Sequence, residues 1–411
     1  MNDNNVFDQL KSEISKYDRM MLADYFRECS QKGMQVIAGS DICLYEVAAA
    51  MGLPYCVMTT VGGAGTQIPG AAERIDLAKD MGFGSKLCTC VRSAMYYLET
   101  GQLPVPAALL TFNTPCDAVT TLGEMARNYK PWANVPKFVM DASYSKDDEG
   151  MEYFARQMKQ AVSFLEEATG KKLDKDRLDQ VCEEANKQCR LLLDFQELKK
   201  AVPCPVTWTW ARDGFRLARW MFCGDPWVTD WLERLIAATE QRVKEKKGVD
   251  GINEKIRYMV WDPAMVSPTR GDYISNRLAK ELGAMNMMDY YSFACWTPID
   301  LSSEDAMYMS FAKRHLNETG MSRQAMDTSF AFAEDVARIA KDFKCDAIVM
   351  TGHIGHKEQD ALHEIVRDYC RKQGMPLLII GCDIWDERVM SLDVVYDKIK
   401  TFFEVSGFLD R

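Results

Sequence analysis

The chain has 411 residues, 47% of them apolar and 27% charged. This balance predicts two or three packed domains and excludes disorder over most of the length. Fifty basic against sixty acidic residues leave a net charge of −10, which argues against a nucleic-acid surface and leaves only a local basic pocket open. No run approaches about 18 consecutive apolar residues, so no membrane span is expected.

The first residues, Met1-Asn2-Asp3-Asn4-Asn5, carry neither a basic nor an apolar stretch. No secretory leader is therefore expected, and a reducing cytoplasm is. In that compartment the 14 cysteines do not read as a disulfide framework. Most are expected as small buried hydrophobes, with a minority that hold metal or do chemistry.

In chain order, short apolar runs first alternate with helical patterns. Gln35–Ala38, Tyr55–Thr59, Ala107–Thr111 and Lys137–Met140 read as strands, with helices predicted over 71–82, 87–100 and 117–128. Strands alternating with helices predict a parallel sheet, and this pattern fills residues 1–147. Over 148–250 the strand signal stops. Met151–Thr169 and Leu173–Phe195 read as long helices, Pro203 and Pro205 interrupt, and helices follow over 211–222 and 226–246. Over 251–411 the alternation returns, with Arg257–Trp261, Asp346–Met350 and Leu377–Ile380 as strands. Ser322 is placed to cap a helix with Met326, Phe330, Ala333, Ala337 and Ala340 on one face. Gly374 and Pro376 close the helix that carries Leu362, Ile365, Val366 and Tyr369. Ser391 opens the last one. The expected class is α/β, with two parallel-sheet domains and an intervening helical region.

Three of the four histidines, His353, His356 and His363, fall close together; only His315 lies elsewhere. His353-Ile354-Gly355-His356 follows the strand Asp346–Met350, at the carboxyl end where open parallel sheets bind ligands. An imidazole there can ligate metal, move a proton or donate to an acyl oxygen. The plain alternative is a pair that caps the next helix; His363, inside that helix, reads as structural. Cys88 and Cys116 each open a helix at what reads as a strand-to-helix mouth, where a helix N-terminus favours thiolate. Two buried thiols are the plain alternative. Cys90 points away on the helix and reads as structural. Gly62-Gly63-Ala64-Gly65 lacks the glycine that a dinucleotide loop would need at Ile68, so it reads as a flexible turn. Neither a phosphate-binding lysine loop nor a serine elbow is present. The aromatic residues Trp208, Trp210, Trp220, Trp227 and Trp231 read as core or as a subunit interface.

The chain resembles a subunit of the 2-hydroxyacyl-CoA dehydratase and benzoyl-CoA reductase family. The resemblance is carried by Leu87-Cys88-Thr89-Cys90-Val91-Arg92-Ser93, Gly101-Gln102-Leu103-Pro104 and Pro115-Cys116-Asp117. It continues through Cys345-Asp346-Ala347, Gly355-His356-Lys357, Met375-Pro376-Leu377, Asp383, Asp386, Arg388 and Phe403-Glu404. It implies two Rossmann-like domains plus a helical part. It also implies a 4Fe–4S cluster on three cysteine ligands, a second dehydratase-type subunit, an ATP-dependent activator protein and an acyl-CoA substrate. The implied reaction is loss of water from a 2-hydroxyacyl-CoA through a ketyl radical. An acyl-CoA reductase subunit and a non-catalytic electron-relay or scaffold subunit are the alternatives.

Cys88 and Cys116 match the first two ligands of that pattern. Where the family has Cys-Lys, this chain has His356-Lys357. His356 is then the expected third ligand, as imidazole replaces thiolate in some clusters. Cys345 or Cys382 as the third ligand, or an altered cluster, are the other outcomes. On the substrate side the candidates are His353 and Ser40. Ser40 ends the first strand and can hydrogen-bond a carbonyl oxygen or cap the helix predicted at Leu44–Met51.

Overall fold

Two four-stranded parallel sheets organise the chain, in a computed structural model that describes residues 3–410 except 16, 41–42, 262–269, 291, 294–296, 319–321, 324–330, 352–354 and 384. After the N-terminal helices α1 (Asp3–Ser15) and α2 (Ala23–Gln31), the first sheet uses β1 (Ile37–Gly39), β2 (Tyr55–Val57), β3 (Ala108–Phe112) and β4 (Lys137–Met140). Between these run α3 (Tyr45–Ala50), α4 (Met58–Gly65), α5 (Ala71–Asp80), α6 (Thr89–Glu99) and α7 (Asp117–Asn128). The helical part follows with α8 (Asp148–Thr169), α9 (Lys175–Lys199), α10 (Thr209–Arg216) and α11 (Pro226–Lys244). The second sheet contains β5 (Ile256–Val260), β6 (Ala284–Asp289), β7 (Ala347–Thr351) and β8 (Leu377–Ile380). Its helices are α12 (Arg270–Leu282), α13 (Glu304–Lys313), α14 (Ala331–Asp342), α15 (Lys357–Lys372) and α16 (Leu392–Val405).

The strand orders are β2-β1-β3-β4 and β6-β5-β7-β8. In both, the order reverses beside the first strand, so a crevice opens at the carboxyl ends of β1 and β3 and again at those of β5 and β7. β3, β5 and β7 are buried at every position, as strands covered by helices on both faces must be. β6 escapes the sequence pattern. Its Ala-Met-Asn-Met-Met-Asp has no β-branched residue, and burial rather than propensity makes it a strand.

The packing units do not follow the chain order cleanly. Ile299, Met307, Tyr308, Phe311 and Leu316 cross back to the core of the first sheet beside α8. Phe7, Leu10 and Ile14 of α1 join the helical part and the second sheet. Trp208 and Trp231 lie inside that same core, and the Trp231 indole donates to the Leu10 carbonyl at 3.2 Å. They are packing residues, as the core reading of these aromatics expects; Trp210 and Trp227 are half-buried.

The Gly62–Gly65 run is helix α4, not a turn. A Cβ on Gly62 would overlap the Cys90 carbonyl oxygen, and one on Gly65 would stand 2.6 Å from the Tyr97 ring. The glycines let α4 lie against α6. Cys90 accordingly faces α4, with its sulfur 3.6 Å from the Cβ position of Gly63. Gly62→Val is expected to force the helices apart and lower the unfolding free energy by about 3 kcal/mol, within the upper range for overpacking. Urea denaturation measures it; a loss under about 1 kcal/mol would show that α4 can slide without cost.

Candidate functional site

Many helices of the chain start on conventional caps. Asp147, Asp174, Asp225, Ser303 and Ser391 each accept a hydrogen bond from an N–H of the helix they open. Three others start on Cys88, Cys116 and His356, and none of those side chains makes a capping bond. α6, α7 and α15 thus begin at residues whose side chains do not cap them. His356 occupies the expected cap position without performing the capping.

Contacts between the two sheet units bring these three starts together. Gly355, at φ +109°, presses on Cys88: a Cβ there would stand 2.6 Å from the Cys88 nitrogen and 2.7 Å from its Cα. Only glycine allows that approach in that conformation. Lys357, the first residue of α15, pairs with Asp117, the first residue of α7. The segment after β8 completes the closure. The Thr89 hydroxyl donates to Asp383, and Arg92 lies 4.0 Å from the same carboxylate. Arg388 grips Asp76 of α5 through two bonds of 2.7 and 3.1 Å, and these hold the Asp76 carboxyl below its usual range. Cys88 and His356 are both buried, at 7% exposure, and Cys116 is half-buried. The contacts of Thr89 and Asp383 were not foreseen, although both residues stand in the segments that carry the resemblance; no local spacing links residues 294 positions apart.

The structure separates the other candidates. Cys116 follows β3, as expected. Cys88 does not follow a strand, because α4 and α5 intervene after β2; contacts across the two units, not a strand mouth, set its place. Cys345 precedes β7 and so lies at the amino end of the sheet. A five-residue strand at about 3.3 Å per residue separates it from the His356 loop. It is buried near Lys199 and Arg257, and burial pushes its thiol well up. Geometry therefore removes Cys345 as a third ligand. Cys382 lies at the carboxyl end of β8, beside Asp383, and is buried. His363 sits within α15, 3.7 Å from Asp360. His353 lies outside the described residues.

Ser40 is fully buried, and its hydroxyl accepts a 3.1 Å hydrogen bond from the Phe112 N–H, joining β1 to β3 across the crevice. A Cβ on Gly123 of α7 would stand 3.6 Å from it. It does not cap α3, whose N-cap is Leu44 with φ 56°. Its O–H remains a donor in principle, but it lies beneath α7.

The donor set, two thiols and an imidazole, suits an iron–sulfur group in kind, and the three helix N-termini favour the anionic thiolate form. As placed, the side chains do not close around a common point. Among the described residues, no group of three or more His, Cys, Asp or Glu side chains is gathered to hold a metal ion. Nor, among them, is any helix long and apolar enough to cross a membrane.

Comparison with known proteins supplies the rest. The chain is similar to the (R)-2-hydroxyglutaryl-CoA dehydratase subunit alpha of Acidaminococcus fermentans, 27% identical over 178 residues, covering 41% of this chain and 35% of that one. It is similar to the (R)-2-hydroxyisocaproyl-CoA dehydratase alpha subunit of Clostridioides difficile, 26% identical over 206 residues, covering 46% and 48%. It is also similar to the (R)-phenyllactyl-CoA dehydratase alpha subunit of Clostridium sporogenes, 23% identical over 249 residues, covering 56% and 58%. The chain thus spans from about a third to somewhat over half the length of these relatives. A family model, described as 2-hydroxyglutaryl-CoA dehydratase, D-component, matches residues 44–405, which contain β2 to β4 of the first sheet, the whole second sheet, the helical part and all three converging helix starts. On that match the chain belongs to the family of the 2-hydroxyglutaryl-CoA dehydratase D-component.

Proposed function

We propose that this chain is an iron–sulfur subunit of a 2-hydroxyacyl-CoA dehydratase. The observation that carries the reading is the meeting of the helix starts at Cys88, Cys116 and His356, in a member of this family. A 4Fe–4S cluster would be held by the Cys88 and Cys116 thiolates and the His356 imidazole. Such a cluster would supply an electron of low potential to the acyl thioester. The chain's own part is to hold that group at the helix ends and keep water from it. The Gly355 loop, which presses on Cys88, and the Asp383 segment, which bonds Thr89, would do so from the second sheet. The sequence offers no phosphate-binding lysine loop, which is consistent with an ATP-dependent activator protein as the electron source. The relatives are named as alpha subunits, which supports pairing with a second dehydratase-type subunit.

Anaerobic purification tests the reading directly. The protein should be brown, with iron and sulfide in similar amounts. Mixed with its partner subunit and activator, it should remove water from a 2-hydroxyacyl-CoA. A colourless protein that takes up no iron on anaerobic reconstitution would overturn the proposal. Reduction of an acyl-CoA without water loss would instead assign it to a reductase.

A further inference from the structure

We propose that His315 is a positioning residue for Cys116: through Thr114 it fixes the turn that delivers the Cys116 thiol to the crevice. The proposal rests on the reading of Cys116 as a cluster ligand.

His315 drew no attention as a lone histidine in the sequence. In the structure it lies on a π-helical turn, Arg314–Glu318, that continues α13. A second π-helical turn, Leu217–Met221, continues α10. Such turns are rare and recur at functional sites. The two meet at one buried carboxylate: Arg219 lies 2.8 Å and Arg314 lies 3.5 Å from Glu46. The element that carries His315 is thereby anchored to α3, next to the carboxyl end of β1.

The His315 ring nitrogen Nε2 lies 3.3 Å from the Thr114 hydroxyl oxygen, and both residues are buried. Phe154 packs beside the ring, with centroids 5.4 Å apart, and limits its rotation. Burial, reinforced by the Arg219 charge, pushes the imidazole pKa down to about 3. The ring is neutral at any working pH, so it serves as one fixed donor and one fixed acceptor. Its partner, Thr114, stands two residues before Cys116 in the turn between β3 and α7. Pro115 between them has no N–H to contribute. On the far side of Cys116 the Thr120 hydroxyl donates to the Cys116 carbonyl and Asp117 pairs with Lys357; on the near side the Thr114–His315 hydrogen bond ties the turn to the π-helical turn after α13. The Cys116 side chain makes no capping hydrogen bond to α7.

The full-length, iron-free protein provides the test. The alkylation rate of Cys116 by iodoacetamide is followed by peptide mass spectrometry in the native chain and in His315→Leu, His315→Gln and Thr114→Val. Removing the bond from either side, in His315→Leu or in Thr114→Val, should change the Cys116 rate by about fivefold or more, the factor expected when one net hydrogen bond is lost. His315→Gln, whose amide can still reach Thr114, should remain within about twofold of the native rate. The half-buried Cys90 on α6 should keep its rate throughout. In iron-loaded protein the electron paramagnetic resonance spectrum should shift in His315→Leu and return in His315→Gln. An unchanged Cys116 rate in both bond-removing variants, with native-like circular dichroism, would overturn the proposal even if the chain binds iron. A changed rate in a native chain that binds no iron would sustain the positioning role and overturn the cluster. If His315→Leu fails to fold, Thr114→Val alone decides.

Discussion

His356→Ala is expected to strip most of the iron from anaerobically purified protein, as are Cys88→Ser and Cys116→Ser. Each removes one of three donors, and the described residues gather no alternative metal-binding group nearby. His356→Cys is expected to retain a cluster at lower potential, because thiolate carries a negative charge that neutral imidazole lacks. The loop should not collapse in His356→Ala. Lys357 remains paired with Asp117, and Gly355 remains seated on Cys88. This separates the roles of the residue. A helix-start residue with no ligand role would leave iron intact and alter stability by only about 0.5–2 kcal/mol. A proton donor would leave iron intact and depress turnover. Iron and sulfide content, read beside the visible spectrum, distinguish the three. Full iron in His356→Ala would remove the imidazole from the ligand set and turn attention to Cys382, which shares its end of the sheet. His353→Ala is the control; iron lost there and retained in His356→Ala would mean that the wrong imidazole was chosen.

The alternation of strands and helices was legible because parallel strands buried on both faces leave continuous apolar runs, as Ala108–Phe112 and Ala347–Thr351 do. Lys137–Met140 and Leu377–Ile380 are strands with the expected bounds, and Ser391 caps the last helix as expected. β6 was not legible, since Met and Asn have no strand signature. Nor was the Gly62–Gly65 helix: glycine weakens a helix by itself, and only the close approach of α6 explains why α4 carries three. For the site, the resemblance directed attention to Cys88, Cys116 and His356, and all three open helices. What brings them together was hidden, because Thr89–Asp383, Asp76–Arg388 and Asp117–Lys357 are long-range pairs. The meeting of Glu46, Arg219, Arg314 and His315 was hidden for the same reason, as two π-helical turns far apart in sequence produce it.

Glu46→Gln should produce the largest loss of stability among single changes near the site. Glu46 is buried and lies against two buried guanidiniums, Arg219 at 2.8 Å and Arg314 at 3.5 Å. Burial alone would raise its pKa; the two arginines more than offset this and hold the carboxyl below its usual range. A glutamine keeps the shape and removes the charge, leaving the guanidiniums close together in a medium that screens their repulsion poorly. Breaking a buried pair from one side typically costs about 3–5 kcal/mol. The sign of the pH dependence follows from the lowered pKa. The unfolded glutamate titrates near pH 4.3, and the folded one below it. The charge contribution of Glu46 is therefore fully present at neutral pH, begins to fall below about pH 4.3, and is lost as pH drops through the folded value. Urea denaturation at a series of pH values should show a wide gap between native and Glu46→Gln protein at pH 7 that narrows only in acid. A gap below about 1 kcal/mol at pH 7, or one independent of pH, would mean that the arginines draw their stability from other partners. The same variant should loosen Arg314 and the His315 ring beside it. The Cys116 alkylation rate should then move in the direction seen for His315→Leu, tying the buried ion cluster to the turn that presents the thiol.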